Sequence, residues 1–424
     1  MSDRTEAMRA KVRALYDRNR QQGRAPWCGL DYDFVCPSSG TYPFQWFWDS
    51  GFHAIVLTQT DVGRAQAELR SLLANQQPDG FVAHVTFWQR ERYEEMLKTY
   101  SIAYRTPHLS DCIQPAVIGE SLEYVARRGG EKAFVAEHLP KLRRYFDWLD
   151  TFRDPDRDGL VATLQPDESG LDQAPKYDEY LKLSLAEKRH EAFTAAWDRV
   201  AAPYQEVGRD HAKMFALDVF VVEDVLVNTI YALGQASLAR LLRDAGDSAA
   251  ADAFEARAAR TRRSLIDKCW DPKAGLFFDL AGLAEKKLTT NSVSSLLPLA
   301  LPDLPSEIAR ELIRHLENPA EYAATFPVPS VAMNEPGYDP GVVGRSLVYR
   351  GPSWMNTNWY LSRGLRLHGR HDLADTIVDR SLALVEREGF REYYNPGTGQ
   401  GNGAREFSWS ALILEMLVEA DASR

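Results

Sequence analysis

The 424-residue chain has little cysteine, no cluster of basic residues and no uninterrupted apolar run. Cys28, Cys36, Cys112 and Cys269 form no C-x-x-C pair and no metal-ligand spacing, so free thiols are expected and a zinc site is not. Fifty Lys and Arg against sixty Asp and Glu leave a net charge of -10, with no basic stretch to track a phosphate backbone. Nucleic acid is therefore not an expected partner. The most apolar stretch, Met214 to Gly234, is interrupted by Asp218, Glu223, Asp224 and Asn228, which argues against a membrane span. The first residues, Met1 to Glu6, are charged and lack an apolar signal core; with the free thiols this points to a cytoplasmic protein. No fixed repeat supports a solenoid, and no Pro/Gly/Ser-rich linker divides the chain, so residues 1–424 read as one domain. Long β-branched alternation is also nearly absent, which leaves helices.

Apolar residues recur at helical spacing over about 7–20, 62–75, 111–128, 132–150, 179–196, 221–243, 247–270, 305–317, 354–368, 371–387 and 406–421. Ser110 is the expected N-cap of the third. Short strands are expected at Gly159–Ala162, Gly275–Phe278 and Phe390–Tyr394. About a dozen helices with long loops exceed a four-helix bundle. Helical hairpins closed into a toroid, with the loops gathered at one end, fit better.

Four loops carry residues suited to chemistry. Tyr42–Ser50 packs five aromatics around Gln45 and Asp49, with Trp46 and Trp48 among them. Aromatic faces stack on sugar rings, while carboxylates and amides take hydroxyl groups. The alternative is an aromatic plug with Asp49 capping a helix. Arg153–Gly159 places carboxylates at alternate positions before a glycine, like the start of a calcium loop. Twelve positions from Asp154 stands Gln165 where the loop needs Glu, so a tight acidic turn is expected and no metal. Beyond it, Glu168 and Asp172 lie on a Gly-containing stretch between helices. Tyr349–Tyr360 sets Gly351-Pro352 before a helix opening on Trp354 and Asn356. Finally, Glu392 precedes a loop with glycines at 397, 399, 401 and 403, which lacks the GK[ST] ending of a phosphate cradle. His84 and His108 stand alone, and no nucleophilic Ser or Cys motif is present. Two carboxylate centres among aromatics is the equipment of glycosidic-bond hydrolysis.

Glu168-Ser-Gly-Leu-Asp172, Arg350-Gly-Pro-Ser-Trp-Met-Asn356 and Glu392-Tyr-Tyr-Asn-Pro-Gly-Thr-Gly399 resemble glycoside hydrolase family 63 and, more distantly, the family 37 trehalases. The resemblance runs from about Tyr42 to Leu417. It implies an all-α (α/α)6 barrel, an inverting mechanism and no cofactor. It points to the short bacterial branch that cleaves mannosylglycerate and glucosylglycerate. Leu171 stands where trehalases carry Trp. By this resemblance Asp172 matches the general acid and Glu392 the general base, with Glu406 as a nearby rival. Tyr42, Gln45, Trp46, Trp48, Asp49, Gln114, Trp354, Asn356 and Trp409 are the expected sugar-binding residues. Arg90, Arg92, Lys98, Arg105 and Lys176 are candidate cations for the glycerate carboxylate. Other readings are a different α-glucosidase, a sugar epimerase and a non-catalytic carbohydrate binder. A homo-oligomer stays open.

Overall fold

The computed structural model describes residues 2–89, 104–106, 108–184, 189–341 and 347–423. Helices dominate, accompanied by five small sheets. The chain packs as two compact units: residues 1–149, 231–258 and 404–424 form the first, and 150–230 with 259–403 the second.

In the first unit, the Phe47–Leu57 helix is buried along its whole length. The Val62–Ala74 helix starts at Asp61, whose carboxylate accepts the Arg64 N–H at 3.1 Å and satisfies an orphan amide of the first turn. Gly119 and Gly234 allow two helices to touch backbone to backbone. A Cβ at Gly119 would lie 2.4 Å from the Gly234 carbonyl oxygen. A four-stranded sheet orders Gln45–Trp46, Val85–Thr86, Leu109–Ser110 and Tyr104–Thr106, and so carries the start of the aromatic segment. The expected helix over 111–128 is shorter, Ile118–Arg127. Pro115 disfavours helical geometry in the residue before it, and Cys112–Val117 is irregular and buried. Ser110 is no cap; its hydroxyl bonds His84 Nδ1 at 2.8 Å within the sheet.

In the second unit, aromatic packing around Tyr177, Trp197, Tyr204 and Phe220 forms a core cluster. An antiparallel sheet orders Lys286–Leu288, Asp279–Ala281 and Val222–Glu223. The strand expected at Gly159–Ala162 forms no ladder. Instead the Asn228 amide acts as its neighbour, accepting the Val161 N–H at 2.7 Å and donating to the Val161 carbonyl at 2.9 Å. The helix expected at 179–196 lies later, at His190–Glu206, while in the first unit the last helix begins at Leu412 after a 3-10 turn. The helix Val225–Asp244 is long and apolar enough to cross a membrane, but 89% of that window is buried inside the fold. It is a core helix.

Candidate active site

Asp172 sits on a loop that the sequence makes rigid. Pro166 opens a 3-10 turn over Pro166–Ser169, and Gly170 then takes a left-handed φ of 71°, a conformation that favours glycine. The Ser169 hydroxyl accepts the Leu171 N–H at 3.0 Å. Half-buried Asp172 follows, and a second 3-10 turn spans Pro175–Tyr177.

Buried ion pairs hold both ends of this loop. Glu168 receives two bonds from the Arg153 guanidinium at 2.6 Å each, and its Oε2 also accepts the Leu164 N–H at 2.7 Å. On the far side Asp178 takes two bonds from Arg350, both 2.6 Å. Lys176 pairs with Asp224 and with Asp279 at 3.0 Å, and donates to Ser294 Oγ at 2.8 Å. Burial acts to lower the Lys176 ammonium, but Asp224 and Asp279 outweigh it and hold it above its ordinary value. Charges this dry are tolerated only when paired and hydrogen-bonded. The expectation that Lys176 could meet a glycerate carboxylate is thereby corrected: its side chain is 1% exposed and spent on two carboxylates. Glu168, likewise, is a structural anion.

Glu392 stands half-buried on the strand Arg391–Tyr394, paired with Gly401–Arg405. Next to it, Tyr394 and Ser353 exchange backbone bonds at 2.8 and 3.0 Å. Ser353 belongs to the segment that supplies Arg350 and Trp354. That segment reaches the Asp172 loop at two points, since Gln173 Oε1 accepts the Val348 N–H at 3.0 Å and Arg350 grips Asp178. One stretch, 348–354, therefore touches both the Asp172 loop and the Glu392 strand. Trp354 stacks on Tyr349 with ring centroids 3.9 Å apart and meets Tyr393 at 4.6 Å. Asn356 is buried in the first turn of the helix that starts at Met355.

The remaining expected residues fall in the other unit. Tyr42 meets Trp46 and Phe407 edge-on, at 6.3 and 5.9 Å. Trp48 meets Trp409 edge-on at 5.4 Å, and the Trp48 backbone N–H donates to Gln114 Oε1 at 3.0 Å. Asp49 lies buried in the first turn of the Phe47–Leu57 helix, where the helix dipole favours a carboxylate. Gln45 has both ends of its amide occupied, donating to the Glu68 carbonyl at 3.2 Å and accepting from Trp88 Nε1 at 2.8 Å. Glu406 is half exposed, pairs with Arg18 and has a positive φ of 53°. Arg90, Arg92 and Lys98 lie outside the described residues. Arg105 is placed only by its backbone, in the strand Tyr104–Thr106. Reading the sequence missed the anchors Arg153, Asp178 and Asp224. Their partners are 15, 172 and 48 residues away, and pairing at such range leaves no local signal.

Residues 42–410 match the family of the mannosylglycerate hydrolase MGH1-like glycoside hydrolase domain. A mannosylglycerate hydrolase of Thermus thermophilus is 32% identical over 408 residues, covering 90% of this chain and 95% of that protein. A glucosylglycerate hydrolase of Mycolicibacterium hassiacum is 26% identical, covering 88% and 91%. The crystal structure of a family 63 mannosylglycerate hydrolase from Thermus thermophilus, in complex with Tris and D-glycerate, superposes with a TM-score of 0.83 at 28% identity. It covers 97% of this chain and all of that one. The family match over residues 42–410 and the likeness to relatives along nearly the whole chain have one outcome: this chain is a glycoside hydrolase and belongs to the mannosylglycerate hydrolase MGH1-like family.

Proposed function

We propose that the chain hydrolyses mannosylglycerate or glucosylglycerate with inversion at the anomeric carbon, in a single (α/α)6 catalytic domain that works in the cytoplasm. The observation that carries the residue assignment is the 348–354 segment, which fastens the Asp172 loop and the Glu392 strand to each other within one unit. Asp172 acts as general acid and gives its proton to the glycosidic oxygen as that bond breaks. Glu392 acts as general base and takes a proton from the water that attacks the opposite face of the sugar. The two carboxyls then stand roughly 6.5–9.5 Å apart, the gap that admits a water. No covalent intermediate forms, and the released sugar carries the opposite anomeric configuration.

In this reading Trp46, Trp48 and Trp409 provide apolar faces for the glycosyl ring, and Asp49 accepts two of its hydroxyl groups. Tyr42, Gln114, Trp354 and Asn356 complete the binding set. Gln45 acts indirectly, because its amide is held by the Glu68 carbonyl and Trp88 Nε1. The net charge of -10 repels an anion at long range, so glycerate is held by local cations. Purified enzyme is to be assayed on mannosylglycerate, glucosylglycerate, trehalose and a neutral α-glucoside. Turnover of at least one glycerate glycoside in clear preference to the other two substrates is expected. Good turnover of trehalose with none of either glycerate contradicts the proposal.

A further inference from the structure

The acidic turn after Arg153 does not end with its own residues. Asp156 and Asp158 from the turn, Glu223 from the Val222–Glu223 strand and Glu285 from the loop before Lys286–Leu288 each present a carboxylate oxygen. These four oxygens all lie within 4.8 Å of one another. Glu223 is 6% exposed, and its Oε2 has no hydrogen-bond partner among the described residues. An unpaired buried carboxylate is costly unless something neutralises it. Burial, with Asp158, Asp156 and Glu285 nearby, pushes its pKa up to about 9. The turn itself is fixed in advance. Asp154 Oδ2 accepts the Gly159 N–H at 3.0 Å, while Thr261 and Ser264 donate to the Gly159 and Asp158 carbonyls, each at 2.7 Å.

One cation already faces the cluster. Lys268 Nζ lies 2.6 Å from Asp158, 2.6 Å from Glu285 and 3.5 Å from Asp156, but makes no ion pair with Glu223. One ammonium against four carboxylates leaves the group short of positive charge. The Lys268 side chain is 29% exposed and so can swing out to water.

We propose that Asp156, Asp158, Glu223 and Glu285 form a calcium site, with Lys268 as a competing cation at its mouth. Calcium takes oxygen ligands at about 2.3–2.6 Å, which puts opposite ligands about 4.6–5.2 Å apart; magnesium demands a tighter octahedron at about 2.0–2.1 Å. The four oxygens, all within 4.8 Å of one another, fit inside the calcium span. In sequence the turn lacks the Glu of a calcium loop, since Gln165 stands in its place; in space Glu223 supplies that carboxylate from another strand. The proposed site departs from the expectation, drawn from the sequence, of a tight acidic turn with no metal. The ion braces the strand one residue before Asp224, the partner of Lys176 on the acid loop.

Calorimetric titration of chelator-stripped full-length protein with calcium chloride tests this. Expected are one site per chain with a Kd at or below about 10⁻⁴ M, clearly weaker binding of magnesium, and a raised thermal midpoint in calcium. Glu223→Gln should weaken calcium at least about tenfold, and Lys268→Met should strengthen it. Glu285→Gln, on the half-exposed rim, serves as the second ligand variant if Glu223→Gln folds poorly. Absence of calcium binding by both wild type and Lys268→Met, undiminished affinity in the ligand variants, or equal affinity for magnesium overturns the assignment.

Discussion

Glu392 owes its room to a neighbour without a side chain. A Cβ on Gly403 would stand 2.5 Å from Glu392 Oε2 and 2.7 Å from its Cβ, at a φ of +65° that is itself unfavourable for other residues. Gly403→Ala should therefore push Glu392 off its place and lower kcat by an order of magnitude or more. Unchanged kcat would show that Glu392 has slack, which a positioned base does not. The two carboxylates are expected to matter more directly. Asp172→Asn and Glu392→Gln should each reduce turnover on the order of 10²–10⁴ while the unfolding midpoint stays within a few degrees. Glu406→Gln should cost little, since Glu406 is half exposed and already paired with Arg18. If Glu406→Gln abolishes activity and Glu392→Gln does not, the base is Glu406.

At the scale of elements, the Asp172 loop is held at both ends by buried ion pairs. Arg350→Met strands Asp178 without its two bonds in a dry setting, and should cost about 3–5 kcal/mol in chemical denaturation. Arg350→Lys keeps the charge but loses the fork, and should recover only part of that. A cost under about 1 kcal/mol for Arg350→Met would mean the pair contributes little to holding the loop. Most helices here were legible from periodicity, as Val62–Ala74 with its Asp61 cap illustrates. Elements were misread where tertiary contacts replaced local signals. The segment 111–117 has helical apolar spacing but is irregular, because Pro115 disfavours the helix and residues 112–117 are buried. Gly159–Ala162 has strand composition but pairs with an Asn side chain, which no pattern along the sequence announces. The proposed catalytic pair, Asp172 and Glu392, was picked out through motifs. Its anchors were not, because Arg350 and Asp178 become neighbours only in the fold.

For the whole molecule, two buried carboxyls set an expectation for pH. Burial pushes Glu68 to about 8 and Glu223 to about 9, well above the value of about 4.3 expected in an unfolded chain. Between those limits the native state binds protons that the unfolded state has released, so stability falls as pH rises. The thermal midpoint of calcium-stripped protein should decline from about pH 5 to pH 9, and Glu68→Gln or Glu223→Gln should flatten the decline. A midpoint that rises over this range would contradict the sign.

The same scale decides the chemistry, because inversion requires acid, water and base to act on opposite faces of one sugar. Proton NMR of purified enzyme turning over an α-linked mannosylglycerate, recorded in the first minutes before mutarotation, tests this most directly. The β-sugar and glycerate should appear first, with the α-anomer growing in later. Early release of the α-sugar, or no cleavage of the glycerate glycoside at all, would contradict the account.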